Sequence, residues 1–174
     1  MKKMINLFAE YNAITNADMI KILDALPPEK ISEDVGLYYN SILGVLNHLL
    51  VGDIIWMRFF ADQFPEASSV KSSIPVIDLK DWKEIFWKNI DEYKAVRFPF
   101  DECIKKIFEL IDENQYEREL TRKNYKGQEN RIIAWNGFLH VFNHHAHHRG
   151  QIATVLDQWE IENDFSNLIW KFQK

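Results

Sequence analysis

Five of the six histidines in this 174-residue chain, His140, His144, His145, His147 and His148, fall within one stretch, FLHVFNHHAHHRGQI. Neutral imidazole nitrogens are ligands for divalent transition metals, and two of them spaced i, i+4 on a helix can reach one ion together. His140 with His144, and His144 with His148, both have that spacing. Residues four apart lie about 40° from each other around a helix axis and about 6 Å along it. His140, His144 and His148 therefore form one ladder, with Gly137 above it, Gln151 below it, and Ile133, Val141, Ile152 and Val155 alongside. The row that points to a core thus carries imidazoles in its middle and aliphatics at its ends. His145 and His147 project to either side and are expected to be solvated, behind the ligands, or at an interface. Arg149 is expected to pack or to pair with a carboxylate.

The sixth histidine, His48, lies far upstream in ILGVLNHLLVGDIIWMRFF. Its helical face carries Ser41, Gly44, Val45, Gly52, Ile55 and Phe59. A glycine in a helix interior costs roughly 0.5–1 kcal/mol relative to alanine. Gly44 and Gly52 lie one turn either side of His48, so something needs room there. A close helix, a metal or a ligand would each use the space, and the glycines alone do not choose. The single cysteine, Cys103, permits no intrachain disulfide and points to a reducing compartment. Its neighbours Asp101 and Glu102 are expected to raise its thiol pKa, which disfavours it as a nucleophile.

Those histidines need two helices that face each other, and the chain reads as helical nearly throughout. MINLFAEYNAITNADMIKILDAL has helical apolar spacing and stops at Pro27-Pro28. Ser41 is placed to cap a second helix running to about Phe60. QFPEASSVKSSIPVIDLKD is Pro- and Ser-rich and reads as a loop. Helical periodicity resumes in DWKEIFWKNIDEYKAVRFPFDECIKKIFELIDE, where Pro99 predicts a kink or a break into two shorter helices. ELTRKNYKGQENRI predicts a small hairpin-like segment around Lys126-Gly127. A last long helix runs from about Ile132 to Trp159, and DFSNLIWKF closes the chain. Four long helices joined by loops predict an all-α fold, a four-helix bundle, as one domain over residues 1–174.

Composition narrows the function. Aromatics make up 14% of the residues, which predicts a bulky core, and the net charge of −5 disfavours a nucleic-acid partner. Glu10 interrupts the apolar stretch of the N-terminus, which argues against a secretory leader. The most apolar window carries Asn47, His48, Asp53 and Arg58 and reads as a poor membrane span. The expectation is a cytoplasmic protein with no membrane partner.

Asn143-His144 followed by His147-His148-Arg149-Gly150-Gln151, together with the upstream His48, Asp53 and Trp56, resembles the DinB family of the wider DinB/YfiT-like superfamily. Tyr11, Asn12 and Asn16 resemble that family's first helix, although a tryptophan often found nearby is missing. The similarity covers essentially the whole chain, but residues 62–130 share only the general helical layout. The resemblance implies a four-helix bundle holding a divalent metal ion, Zn2+ or Ni2+, through His48, His144 and His148. Geometry alone would allow His140 to replace His148; the family pattern favours His148. Three neutral imidazoles leave a position for water or substrate. Some relatives resemble transferases that use bacillithiol, mycothiol or glutathione. The implied function is therefore metal-dependent transfer of a low-molecular-weight thiol to a small-molecule substrate. A metal-dependent hydrolase and a non-catalytic, stress-associated metal-binding protein are the alternatives. The loop from about Gln63 to Asp78 is expected to cover the site. The resemblance and the aromatic surplus also imply a homodimer.

Overall fold

The computed structural model describes residues 1–123 and 127–173. Four long helices dominate it: α1 (Lys2–Asp24), α3 (Ile42–Gln63), α4 (Ile90–Leu110) and α5 (Ala134–Gln158). Two short helices, α2 (Pro28–Ser32) and α6 (Leu168–Lys171), and 3-10 turns at Pro65–Ser73 and Glu113–Gln115 connect or flank them. α1 packs on α4 and α5, and α3 also packs on both, so the four helices share one apolar interior. Phe60, Phe64, Phe108 and Phe138 interlock there, with ring centroids between 5.0 and 6.4 Å apart.

Local chemistry sets the ends of these helices. Ser41 Oγ accepts the Gly44 amide at 3.0 Å and caps α3, as its sequence position predicts. α4 begins at Ile90 rather than near Asp81. Asn89 accepts the Glu92 amide at 2.9 Å, and the Glu92 carboxylate reaches back to the Lys88 amide at 2.8 Å. This reciprocal cap starts the helix late, and the apolar residues before it belong to an irregular segment, 74–89, that lies across α3. α4 continues through Pro99 without a break. The carbonyl four residues earlier, on Ala95, loses its helical partner, but both residues are exposed, so solvent can reach it.

The fold is mostly helical but carries one small sheet. β1 (Glu119–Lys123) and β2 (Glu129–Ile133) pair antiparallel, with Glu119 opposite Ile133 and Lys123 opposite Glu129. Gly127 has φ +76°, which glycine adopts without strain. Lys126, the other residue of the expected turn, lies outside the described residues. β2 runs straight into α5, and the Ala134 and Trp135 amides bond the carbonyls of Arg118 and Tyr116, so the hairpin fixes the start of the histidine helix.

α3 is, among the described residues, the one helix long and apolar enough to cross a membrane, yet 72% of its apolar window is buried within the fold. Its hydrophobicity faces the other helices.

Candidate metal centre

Where α3 crosses α5, His48 meets His144 and His148. The Nε2 atoms of His48 and His144 are 2.9 Å apart, and those of His144 and His148 are 3.1 Å apart. The three residues each offer a ring nitrogen to one small volume that could hold a divalent ion. The tautomer of His148 suits this. Its Nδ1 is 2.8 Å from Gln151 Oε1, an acceptor, so Nδ1 carries the proton and Nε2 keeps its lone pair. His140 stays outside the cluster. It is exposed, its ring stacks parallel to that of His144 at 6.0 Å, and it leans on Trp56 at 5.0 Å. Of the two i, i+4 pairs in the ladder, the helix crossing selects the lower one.

All three imidazoles favour the neutral form. Burial lowers the pKa of His48 to about 4, with His148 adding to the shift and Asp53 opposing it. Burial also lowers His144 to about 3, reinforced by His148 and His48, and lowers His148 as well. Three desolvated, uncharged nitrogen donors suit a divalent metal ion.

The two glycines beside His48 have different roles. A Cβ on Gly44 would lie 2.0 Å from the backbone oxygen of Tyr39, so Gly44 lets the preceding chain cross tightly over α3. That crossing stacks the Tyr39 ring on His48 at 4.0 Å and brings its hydroxyl within 3.1 Å of His48 Nε2. Asn40, at φ +66°, completes the turn in a conformation asparagine tolerates. A Cβ on Gly52 would lie 3.3 Å from His144 Cε1, so Gly52 makes room for a member of the cluster.

The segment over the site is 74–89, farther along the chain than the expected 63–78 cover. Asn47, next to His48 and buried, accepts the Phe86 and Trp87 amides at 2.9 Å and donates to the Trp87 carbonyl at 2.9 Å. Arg58 donates to the carbonyls of Ile74 and Pro75. These anchors place Trp82 5.7 Å from the His48 ring. A cavity of about 420 Å³ opens beside the cluster, walled by Ile55, Trp56, Trp82 and His140, with Arg122 of β1 over Trp56 at 4.1 Å.

Behind the cluster lies a buried charge network. His145 is wholly buried, unlike a solvated flank residue, and its Nε2 is 2.8 Å from Asp53 Oδ2. Arg97 bridges Asp53 and Asp101 at 2.6 Å each, and Asn16 donates to Asp101. Burial alone would raise the pKa of Asp53, but His145 and Arg97 outweigh it and hold the carboxyl at about 2. Asp101 is pushed up by burial despite Arg97. Of the two roles expected for Arg149, packing holds and the ion pair does not. Among the described residues no carboxylate pairs with it, and its Nη1 donates instead to Asn12 Oδ1 at 2.5 Å. Tyr11 donates to the Phe165 carbonyl. The first-helix residues Tyr11, Asn12 and Asn16 thus tie α1 to the C-terminal segment, α5 and α4. Cys103 is buried and its pKa is raised, the cause being burial rather than its acidic neighbours.

Sequence reasoning passed over Tyr39, Asn47, Trp82 and the Arg97–Asp101 pair. The last had a visible signal, since a cation and an anion at i, i+4 sit on the apolar face of α4 beside Tyr93, Phe100 and Ile104. Tyr39 and Trp82 had none, because both reach the site from irregular segments.

The sequence profile of the DinB family matches residues 1–159, and the chain belongs to that family. It is similar to Protein DinB of Bacillus subtilis (strain 168), at 23% identity over 154 residues that cover 86% of this chain and 82% of the relative. No solved structure matches.

Proposed function

We propose that this protein is a metal-dependent S-transferase built on a DinB-type four-helix bundle, with His48, His144 and His148 holding Zn2+ or Ni2+. The convergence of three neutral ring nitrogens beside an open cavity carries the reading. A bound cation lowers the pKa of a thiol next to it, so that the thiolate prevails near neutral pH. The chain's own residues do the rest. Gln151 holds the His148 tautomer, and Asp53 with Arg97 holds the helix faces that carry the rings. Trp56 and Trp82 give the cavity apolar walls, and Arg122 offers a cation to the carboxylate of a small thiol such as bacillithiol or glutathione. The thiolate sulfur forms a bond to an electrophilic carbon of the second substrate, whose leaving group departs with its electron pair. The protein's own thiol takes no part, because Cys103 is buried on α4.

The same reading takes the chain as a single domain, cytoplasmic and homodimeric, acting on a small molecule. The test begins with metal content. Protein purified without chelator should hold about one divalent ion per chain, and His48→Ala, His144→Ala or His148→Ala should each deplete it while His140→Ala does not. Metal-replete protein is then incubated with bacillithiol, glutathione or cysteine and a chlorinated nitroarene or an epoxide. Conjugation no faster than in the metal-free control, for every thiol, would overturn the transferase reading. Hydrolysis of an activated ester by the metal-replete form alone would replace it with a hydrolase.

A further inference from the structure

We infer that the cavity between α1 and α5 is a second binding site, in which Arg149 receives the carboxylate of a small, largely apolar organic acid. The cavity measures about 650 Å³, within the range of small-molecule pockets. It does not belong to the histidine cluster. At about 100° per residue, its α5 positions Leu139, Asn143 and Ala146 lie on the opposite side of the helix from His144 and His148, and His140 stands between the two faces.

Arg149 is the reason to expect an anion. It is 4% exposed, lines the cavity, and its guanidinium lies 5.4 Å from the Tyr11 ring centroid. Its Nε is buried without a hydrogen-bond partner, and among the described residues its one contact to a side-chain acceptor is to a neutral amide, Asn12. A buried guanidinium is ordinarily paired with a carboxylate or phosphate, because desolvating the cation alone is costly. No ion pair links Asp53 or Asp101 to Arg149 among the described residues; both carboxylates are taken up by Arg97. Elsewhere in this fold the rule is obeyed, since Arg97 has two carboxylates in contact.

The lining defines the rest of the ligand. Among the described residues no acidic side chain lines this cavity, although the chain carries 26 Asp and Glu residues. Phe8 stacks on Phe142 at 5.7 Å to form an apolar wall, continued by Trp135 and Leu139. One cation and several amides suit a monoanion with an aromatic or branched aliphatic body. A polyanion would find no second positive charge. Arg149 also borders the adjoining groove beyond Ala146, which carries Asp157 and Asp164, so the apolar body of the ligand is directed the other way, toward Trp135 and Leu139.

The experiment uses the full-length, metal-loaded protein with 4-phenylbutyrate and its uncharged amide as probes, followed by calorimetry and by NMR of the Arg149 Nε–H and Trp135 indole signals. The acid should bind saturably and about 10- to 100-fold more tightly than the amide, the worth of a charge-assisted hydrogen bond. Both signals should shift on binding. Arg149→Gln should abolish the preference for the acid. Because a buried arginine can be needed for folding, Leu139→Trp supplies a second variant: it fills the cavity, leaves Arg149 in place, and should abolish binding with metal content unchanged. Three results would each overturn the inference. They are no saturable binding in the millimolar range, equal affinity for acid and amide, or binding that disappears when the metal is removed. A dimer that dissociates in Leu139→Trp while the acid never binds would also overturn it, by assigning the face to a second copy of the chain.

Discussion

Neutral imidazoles let the cluster take up a cation near physiological pH with no proton to displace. His48 and His144 have pKa values of about 4 and about 3 against the usual 6.5. Between those values the folded protein binds fewer protons than the unfolded chain. The contribution to stability is therefore complete above about pH 6.5 and is lost as pH falls toward 4 and then 3. The metal-free protein should show a urea midpoint that drops steadily from about pH 7 to about pH 4. A midpoint flat across that range would contradict the desolvated cluster. Bound metal competes with protons for the same nitrogens, so metal should be retained well below pH 6.5, where a site of exposed histidines would release it. Asp53 adds a second acid-labile contribution at lower pH, present above about 3.8 and lost toward about 2. Cys103→Ser should leave metal content and any conjugation rate unchanged, as measured by elemental analysis and turnover.

Each helix places its chemistry through one or two exacting positions. On α3, Gly44→Ala sets a Cβ 2.0 Å from a backbone oxygen, which neither partner can relieve by rotating a side chain. It should cost several kcal/mol, of the order of core overpacking (~1–3 kcal/mol) or more, and displace Tyr39 from His48. Gly52→Ala meets only the edge of the His144 ring at 3.3 Å. Its helix should gain up to about 1 kcal/mol of propensity while metal affinity falls. Thermal unfolding should move the two variants in opposite directions, and metal titration should show the weakened site of Gly52→Ala. On α4, Arg97→Ala leaves Asp53 and Asp101 buried without their shared cation, and should destabilise the fold by about 3–5 kcal/mol in denaturant titration. The same loss frees His145 and Asp53 to shift, so metal affinity should fall in this variant too, although Arg97 touches none of the three clustered histidines.

Assembly of the four long helices leaves a face of α1 apolar and exposed at Met4 and Leu7. A homodimer would cover such a face. Light scattering should report twice the mass of 20.7 kDa at micromolar concentration, and a monomer from micromolar to near-millimolar concentration would end that reading. Much of this molecule was legible in the linear chain because the relevant physics is short-ranged. Apolar spacing marks α1, α3 and α5, Ser41 marks a helix start, and i, i+4 spacing puts His144 and His148 on one face whatever that helix packs against. Where local signals competed, the reading failed. The apolar run before Asn89 looks helical, but the reciprocal cap with Glu92 turns it into the irregular segment that carries Trp82. What depended on helix rotation and crossing was decided only by the tertiary structure. A rotation of α5 would have chosen His140 over His148, or turned His145 toward solvent instead of toward Asp53. Likewise, the pairing of Arg97 with Asp53 and the contact of Arg149 with Asn12 join residues far apart in the chain, and the stacking of Tyr39 on His48 depends on an irregular turn. No spacing rule connects such residues, because their contacts exist only once the apolar faces have packed.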